Sequence, residues 1–264
     1  MNHLDRLESQ SIYILREAFN KIERLGLLWS MGKDSTVMLW LARKAFFGHM
    51  PFPLLHIDSG DEFAEIEAFG RRLTDDWGLD LVRGDCPPLD DIDNTLPPAA
   101  RAAARRTAGL KALIDAQGFT GVAVGIRRDE EGSRAKERVF STRGEDGEWK
   151  FRDQPREFWD QFNTDFPPGA HVRIHQLLAW TEIDIWRYIA REAIPVVDLY
   201  FTKDGKRYRS LGEPEHSEPM ASSAATVTDI IAELETTTIA ERAGRAADHE
   251  GEGVFERLRV EGHS

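Results

Sequence analysis

Short apolar runs alternate with amphipathic helical ones through the first half of the chain, and three of the apolar runs stop at a polar tip that carries a glycine. Leu25 to Trp29 ends in Ser30-Met31-Gly32-Lys33-Asp34-Ser35, Pro51 to Gly60 ends in Asp58-Ser59-Gly60, and Gly121 to Gly125 leads into Ile126-Arg127-Arg128. A helix after each strand returns the chain to the edge it started from. Consecutive strands are then parallel, and helices cover both faces of the sheet. The fold class is therefore α/β, with a doubly wound, mostly parallel, Rossmann-like sheet. Such sheets bind ligands beyond the carboxyl ends of their strands, so the three tips should share one rim.

The other elements follow from periodicity. Leu4 to Ile22, Ser35 to Phe47, Glu62 to Trp77, Thr107 to Gln117, Thr181 to Glu192 and Thr226 to Glu235 carry apolar residues at helical spacing. Leu79 to Arg83 and Val172 to His175 read as further strands, and Pro87 to Pro98, rich in proline and aspartate, as an exposed loop. The spacing of Trp180, Ile183, Ile185, Trp186 and Ile189 marks a packing face, with Thr181 as its helix cap. Residues 1–200 form the main domain. Residues 201–264 form a C-terminal extension, polar and proline-dotted from Lys203 to Met220, that is a lid or partner-docking segment. Its last ~30 residues are too charged and glycine-spaced to pack well unaided.

Composition removes several classes. The single cysteine, Cys86, allows no internal disulfide and no multi-cysteine metal site, and beside Pro87 and Pro88 it reads as a structural thiol. A net charge of -12 makes the chain a poor non-specific nucleic-acid binder, so an anionic ligand needs a local basic cluster. No stretch approaches the roughly 18 apolar residues of a membrane span. The polar N-terminus lacks a signal-peptide core, which predicts a cytoplasmic protein. His171 and His175 have metal-ligand spacing only on a helix, whereas VRIH reads as strand.

The first tip suits an anion. A tight strand-to-helix loop leaves helix-start amides pointing outward at the positive end of the helix dipole. Gly32 permits close backbone approach, Ser30, Ser35 and Thr36 add hydroxyls, and Lys33 adds a charge. Asp34 beside a phosphate makes sense as a helix cap or as a holder of Mg²⁺. The loop lacks the Walker A spacing G-x-x-x-x-G-K-(S/T). The third tip opens GIRRDEEGSRAKERVFS, which puts Arg127, Arg128, Arg134, Lys136 and Arg138 among Asp129, Glu130, Glu131 and Glu137. Planar guanidinium forks suit tetrahedral oxyanions. Charge runs are more often solvated helix faces, but this one starts at a strand end on the same rim.

The loop Ser30, Met31, Gly32, Lys33, Asp34, Ser35 resembles the PP-loop, S-(G/M)-G-K-D-S, of the N-type ATP pyrophosphatase superfamily. The run RRDEEGSRAKER resembles the sulfate adenylyltransferase subunit 2 family, the small catalytic subunits of heterodimeric bacterial ATP sulfurylase. SIYILREAF, LARKAFF, PFPLLHIDSG, TEIDIWRYI, IPVVDLYF and ERAGRAADHE agree with that family. Three stretches depart from it. KDGKRYRSLGEPEHSEPMASS is compact and has no cysteine. Asp61, Glu62, Glu65 and Glu67 stand where an aromatic and a basic residue are usual. The connector from Pro87 to Arg106 is unfamiliar.

The resemblance implies an adenine nucleotide alpha hydrolase-like fold and transfer of AMP from ATP to sulfate. Ser30 to Ser35 would hold the β,γ-phosphates, with Thr36, Asp58, Ser59, Gly60 and Gly125 near the nucleotide. Arg127 and Arg128, backed by Arg134 and Arg138, would meet sulfate or the α-phosphate. ATP would enter with Mg²⁺, partly held by Asp34. A separate GTPase subunit would supply the free energy, and no redox cofactor, nucleic acid or membrane takes part. Sulfate carries no proton to remove at neutral pH, so in-line attack on the α-phosphorus needs positioning and charge neutralisation, with Lys33, Arg127 and Arg128 as the catalytic groups. Three other readings are weighed against this. A reductase of activated sulfate would need a C-terminal cysteine. The remaining two are an adenylating enzyme with another small acceptor and a silent ATP-binding regulator.

Overall fold

The computed structural model describes residues 1–130, 132–144, 149, 152, 154, 156–158, 161–239 and 241. Its main sheet contains β1 (Leu25–Leu28), β2 (Leu54–Asp58), β3 (Leu81–Asp85), β4 (Gly121–Ala123), β5 (Phe140–Arg143) and β6 (His171–Ile174), in the spatial order β3-β2-β1-β4-β6-β5. Every pairing is parallel except β5 with β6. On central β1, Leu27 lies opposite Leu54 on one side and Ala123 on the other. The chain steps outward through β2 and β3, then returns to lay β4 on the opposite flank of β1. That reversal opens a crevice beyond the ends of β1 and β4, the place where such sheets take ligands.

The helices are α1 (His3–Lys21), α2 (Lys33–Ala45), α3 (Ala64–Trp77), α4 (Pro98–Gln117), α5 (Glu182–Glu192) and α6 (Val227–Thr236). Capping boxes Asn2–Asp5, Thr181–Asp184 and Thr226–Asp229 start α1, α5 and α6. Left-handed Gly78 and Gly118 end α3 and α4. On one face the sheet packs against α1, α2, α3 and α5, with Trp29, Val37, Phe69 and Trp186 in a single core. On the other face Leu110, Leu113 and Ile114 of α4 cover Leu55 and Val122. Both faces are therefore closed, as the alternation requires.

Two elements differ from the expected layout. α4 begins at Pro98 rather than Thr107, because the first half of the helix is alanine-rich and buries Ala99, Ala100, Ala102 and Ala104. Alanine leaves no hydrophobic period, although its helix propensity and a proline at the first turn signal the start. The antiparallel edge strand β5 is only four residues long, three of them polar, and directly follows the charged run. The extension folds back onto the domain. β7 (Lys206–Arg207) pairs antiparallel with β8 (Met220–Ala221), and α6 lies against α5, with Arg187 2.7 Å from Glu235. The tail beyond Glu241, where loose packing is expected, lies outside the described residues.

Candidate active site

The first tip is shaped from behind. Met31 takes a left-handed backbone (φ 62°) with its side chain buried against α3, where it fills the space a Cβ on Gly70 would need. It is a packing residue and does not line the cleft. Gly32 caps α2 in extended conformation, with no side-chain hydrogen bond to the cap. The expected cap, Asp34, points elsewhere. The Ser30 and Ser35 hydroxyls lie 3.0 Å apart, and Ser35 also donates to the Gly32 carbonyl (3.1 Å). The end of β4 runs tightly along this helix start, since a Cβ on Gly125 would sit 3.4 Å from the Ser35 amide nitrogen.

Two buried cations alternate with two carboxylates in a closed ring. Lys33 Nζ pairs with Asp34 Oδ2 (3.0 Å) and with Glu241 Oε1. The Arg127 guanidinium donates to Asp34 Oδ1, to Glu241 Oε2 and, at 2.9 Å, to Asp129 Oδ1. Asp129 also accepts from the Glu182 amide (2.8 Å), which ties the ring to the start of α5. Side-chain exposure of Lys33 and Arg127 is 2% and 1%, so neither could stay charged without these partners. Burial alone would lower both pKa values, but Asp34 and Glu241 outweigh it and raise both. Burial pushes the Glu241 carboxyl up, and Lys33 and Arg127 pull it down to about 2. The Lys33 amide donates to Tyr200 Oη (2.9 Å), whose phenol burial drives up to about 12.

This ring forms part of the wall of a cavity of about 320 Å³. Of the residues singled out in sequence, Ser30, Gly32, Lys33, Asp34, Ser35, Ser59, Gly125 and Arg134 line it, and Leu28, Ile57 and Val124 supply an apolar wall. Buried Thr36 accepts from the Trp29 indole (3.2 Å), Asp58 caps the Gly60 amide (2.7 Å), and neither lines the cavity. The arginine pair divides. Arg127 turns inward to the ring, whereas exposed Arg128 donates to the Glu137 carbonyl at 3.3 Å. Buried Arg134 lies 3.5 Å from Glu130, and half-buried Arg138 offers its carbonyl to His175 Nδ1 (2.7 Å).

Sequence reasoning missed Tyr200, Arg106 and Glu213 in the wall, and placed Glu241 only in the charged tail read as a docking or lid element. Tyr200 stands in the quoted IPVVDLYF, and Glu241 in ERAGRAADHE, but no local spacing connects either to Lys33. His56, Glu62 and Glu67 approach one another closely enough for a cation, yet their charges are already matched. His56 Nδ1 donates to the Trp29 carbonyl (3.0 Å) and Nε2 lies 3.2 Å from Glu62, while Glu67 grips Arg83 at 3.0 Å. Burial lowers the His56 pKa, but Glu62 outweighs it and raises the value overall. Half-buried Cys86 has its thiol pKa raised by burial, which disfavours the thiolate. His171 opens β6 and His175 directly follows it, so neither lies on a helix, as VRIH predicts.

A family model for the phosphoadenosine phosphosulfate reductase domain matches residues 24–219. The chain is 40% identical over 296 residues to sulfate adenylyltransferase subunit 2 of Rhizobium tropici, covering 99% of this chain and 93% of the relative. To the subunit of the same name from Pseudomonas fluorescens (strain SBW25) it is 37% identical over 302 residues, covering 100% and 98%. Among solved structures, the Candida glabrata FMN adenylyltransferase–ATP complex superposes with a TM-score of 0.55 at 19% identity, over 82% of this chain and 63% of that one. The Candida auris phosphoadenylyl-sulfate reductase phosphate complex gives 0.53 at 15%, over 82% and 96%. At these identities the two structures speak for the fold alone.

Proposed function

Since the chain belongs to the sulfate adenylyltransferase subunit 2 family, we propose that it transfers AMP from ATP to sulfate, forming adenosine 5'-phosphosulfate and releasing pyrophosphate. One observation supports this above the others: Lys33, in the wall of a cavity that also has an apolar side, shares Asp34 and Glu241 with Arg127, 94 positions away, which lies buried behind that wall at the start of α2. Buried cations at a helix N-terminus stabilise a leaving pyrophosphate, and an apolar wall accepts a base. Lys33 and the loop Ser30 to Ser35 take the terminal phosphates. Arg127 spans toward the α-phosphate, and Arg134, with Arg128 further out, meets sulfate. A sulfate oxygen attacks the α-phosphorus as the bond to pyrophosphate breaks, and no covalent enzyme intermediate forms.

Mg²⁺ enters with ATP, and Asp34 is the carboxylate placed to meet it once phosphates occupy its present cationic partners. The family name supports assembly with another subunit, which we take to be a GTPase that drives the uphill anhydride formation. Among the described residues no helix is long and apolar enough to cross a membrane. Adenylyl transfer is tested by isotope exchange between ATP and labelled pyrophosphate, with Mg²⁺ and with or without sulfate and a GTPase subunit. Sulfate-dependent exchange supports the reading. Exchange that needs another oxyanion, or nucleotide binding without exchange, overturns sulfate as the acceptor.

A further inference from the structure

Among the described residues, the C-terminal extension reaches into the cationic junction through the Glu241 side chain. Glu241 is 208 positions from Lys33 and 114 from Arg127, yet its two carboxylate oxygens divide between them, Oε1 to Lys33 and Oε2 to Arg127. Two oxygens of one anion bridging two buried cations is the arrangement a phosphate would make there. The carboxylate lines the same cavity and is 6% exposed. Asp34 already holds both cations from the other side, and Asp129 holds Arg127. An entering phosphate chain therefore meets two cations already faced by three carboxylates. Asp34 and Asp129 are fixed by α2 and the start of α5, so Glu241 is the carboxylate that can leave.

The segment that carries it is held for release. α6 ends at Thr236, and Ile239 beyond it is 57% exposed, so this stretch has little apolar burial to hold it down. Its attachment is polar. The Arg209 guanidinium grips Glu182 with contacts of 2.7, 3.1 and 3.3 Å and donates to the Ile239 carbonyl at 2.8 Å. Glu182 and Glu241 also repel one another, and burial and that repulsion both raise the Glu182 pKa. Withdrawing Glu241 relieves this repulsion, and among the described residues beyond α6 it breaks polar contacts rather than apolar ones.

We propose that Glu241 is a built-in competitor for the terminal phosphates: its carboxylate and the nucleotide's phosphates exclude each other from Lys33 and Arg127, so ATP binds as Glu241 lets go. The proposal rests on reading this junction as the phosphate subsite, and not on sulfate as the acceptor. A phosphate chain brings more charge and more oxygens than one carboxylate, and so displaces it at the cost of part of its own affinity.

Calorimetric titration with Mg-pyrophosphate, and separately with MgATP, compares the wild-type chain with Glu241→Gln. Glutamine keeps the shape and removes the charge. Both ligands should bind the variant about tenfold more tightly, the gain when a competent state of about one in ten becomes the whole population. Equal or weaker binding by the variant, or no binding to either protein, overturns the proposal. Hydrogen exchange on the unaltered chain supplies a second reading that does not depend on the variant's folding. Mg-pyrophosphate should speed exchange of the amides of 237–241, and slowed or unchanged exchange contradicts the competition. Neither measurement involves an acceptor. A chain that behaves this way yet shows no sulfate-dependent exchange keeps the competitor and loses the sulfate reading, and the converse result separates them equally well.

Discussion

At the rim, Lys33 and Arg127 are buried against Asp34, Glu241 and Asp129; on the β5–β6 flank, Arg173 and His175 are buried and Arg143 and His171 half-buried, with Glu137 as the acid that acts on Arg143, Arg173 and His175 among the described residues. Equal burial has opposite consequences. At the rim, opposite charges outweigh desolvation and both cations hold their protons more firmly than in water. On the flank, desolvation dominates and neighbouring cations add to it. Arg173 falls to about 9, His171 to about 3 and His175 to about 4. Among the described residues, Arg173 Nε and Nη1 find no hydrogen-bond partner. Burial thus does not distinguish a working charge from a structural one; the compensation built around it does. The rim keeps cations charged within reach of a cavity, while the flank keeps imidazoles neutral inside a wall.

The sharpest break between the two regions is a deletion of charge at each. Lys33→Met removes a cation that stabilises the leaving group, and pyrophosphate exchange per folded molecule should fall by about 10²–10³-fold; it also leaves Asp34 and Glu241 one buried cation short, so thermal stability falls with it. A loss smaller than about tenfold would place the phosphates elsewhere. Acid titration comes next. His175 has a depressed folded pKa, so its contribution to stability is complete above about 6.5 and is lost as pH falls from there toward about 4, by about 1.4 kcal/mol per pH unit. His56 carries the opposite sign. Its folded pKa is raised, so its contribution is full below about 6.5 and disappears as pH rises through the folded value. Denaturant unfolding of His175→Gln and His56→Gln across pH 4–8 checks both, and a common slope for the two would erase the contrast.

Arg173→Met should be neutral or stabilising by about 1 kcal/mol in the same unfolding experiment, because it removes an under-compensated buried charge and keeps the volume. Destabilisation of more than about 2 kcal/mol would mean that the flank is compensated after all. The smallest effect belongs to Arg128→Ala. Exposed and hydrogen-bonded to a backbone carbonyl, Arg128 should change the apparent affinity for sulfate by less than about tenfold, far below the loss at Lys33.

The contrast also explains what the sequence revealed. The strand–helix alternation and its three tips locate the rim because each tip is local: Ser30 to Ser35, Ser59 and Gly125 are read straight from strand ends. The adjacent letters of Arg127 and Arg128 suggest a pair, and neighbouring residues on an irregular segment face different ways, so the pair divides. Glu241 is invisible locally because its place depends on how the extension folds back, and Tyr200 because its place depends on how the segment after α5 packs against Trp186. The alanine half of α4 is silent to hydrophobic period, and β5 is too short to show alternation. Met31 sits inside the most informative motif and yet serves the core, since its left-handed backbone turns the side chain toward Gly70.

A crystal structure with Mg²⁺ and a non-hydrolysable ATP analogue asks the question most directly. The terminal phosphates should lie over the start of α2 within hydrogen-bond distance of Lys33 Nζ and Arg127, with the base against Leu28, Ile57 and Val124. Phosphates bound elsewhere, with the ring of Lys33, Asp34, Arg127 and Glu241 still closed, would contradict the account.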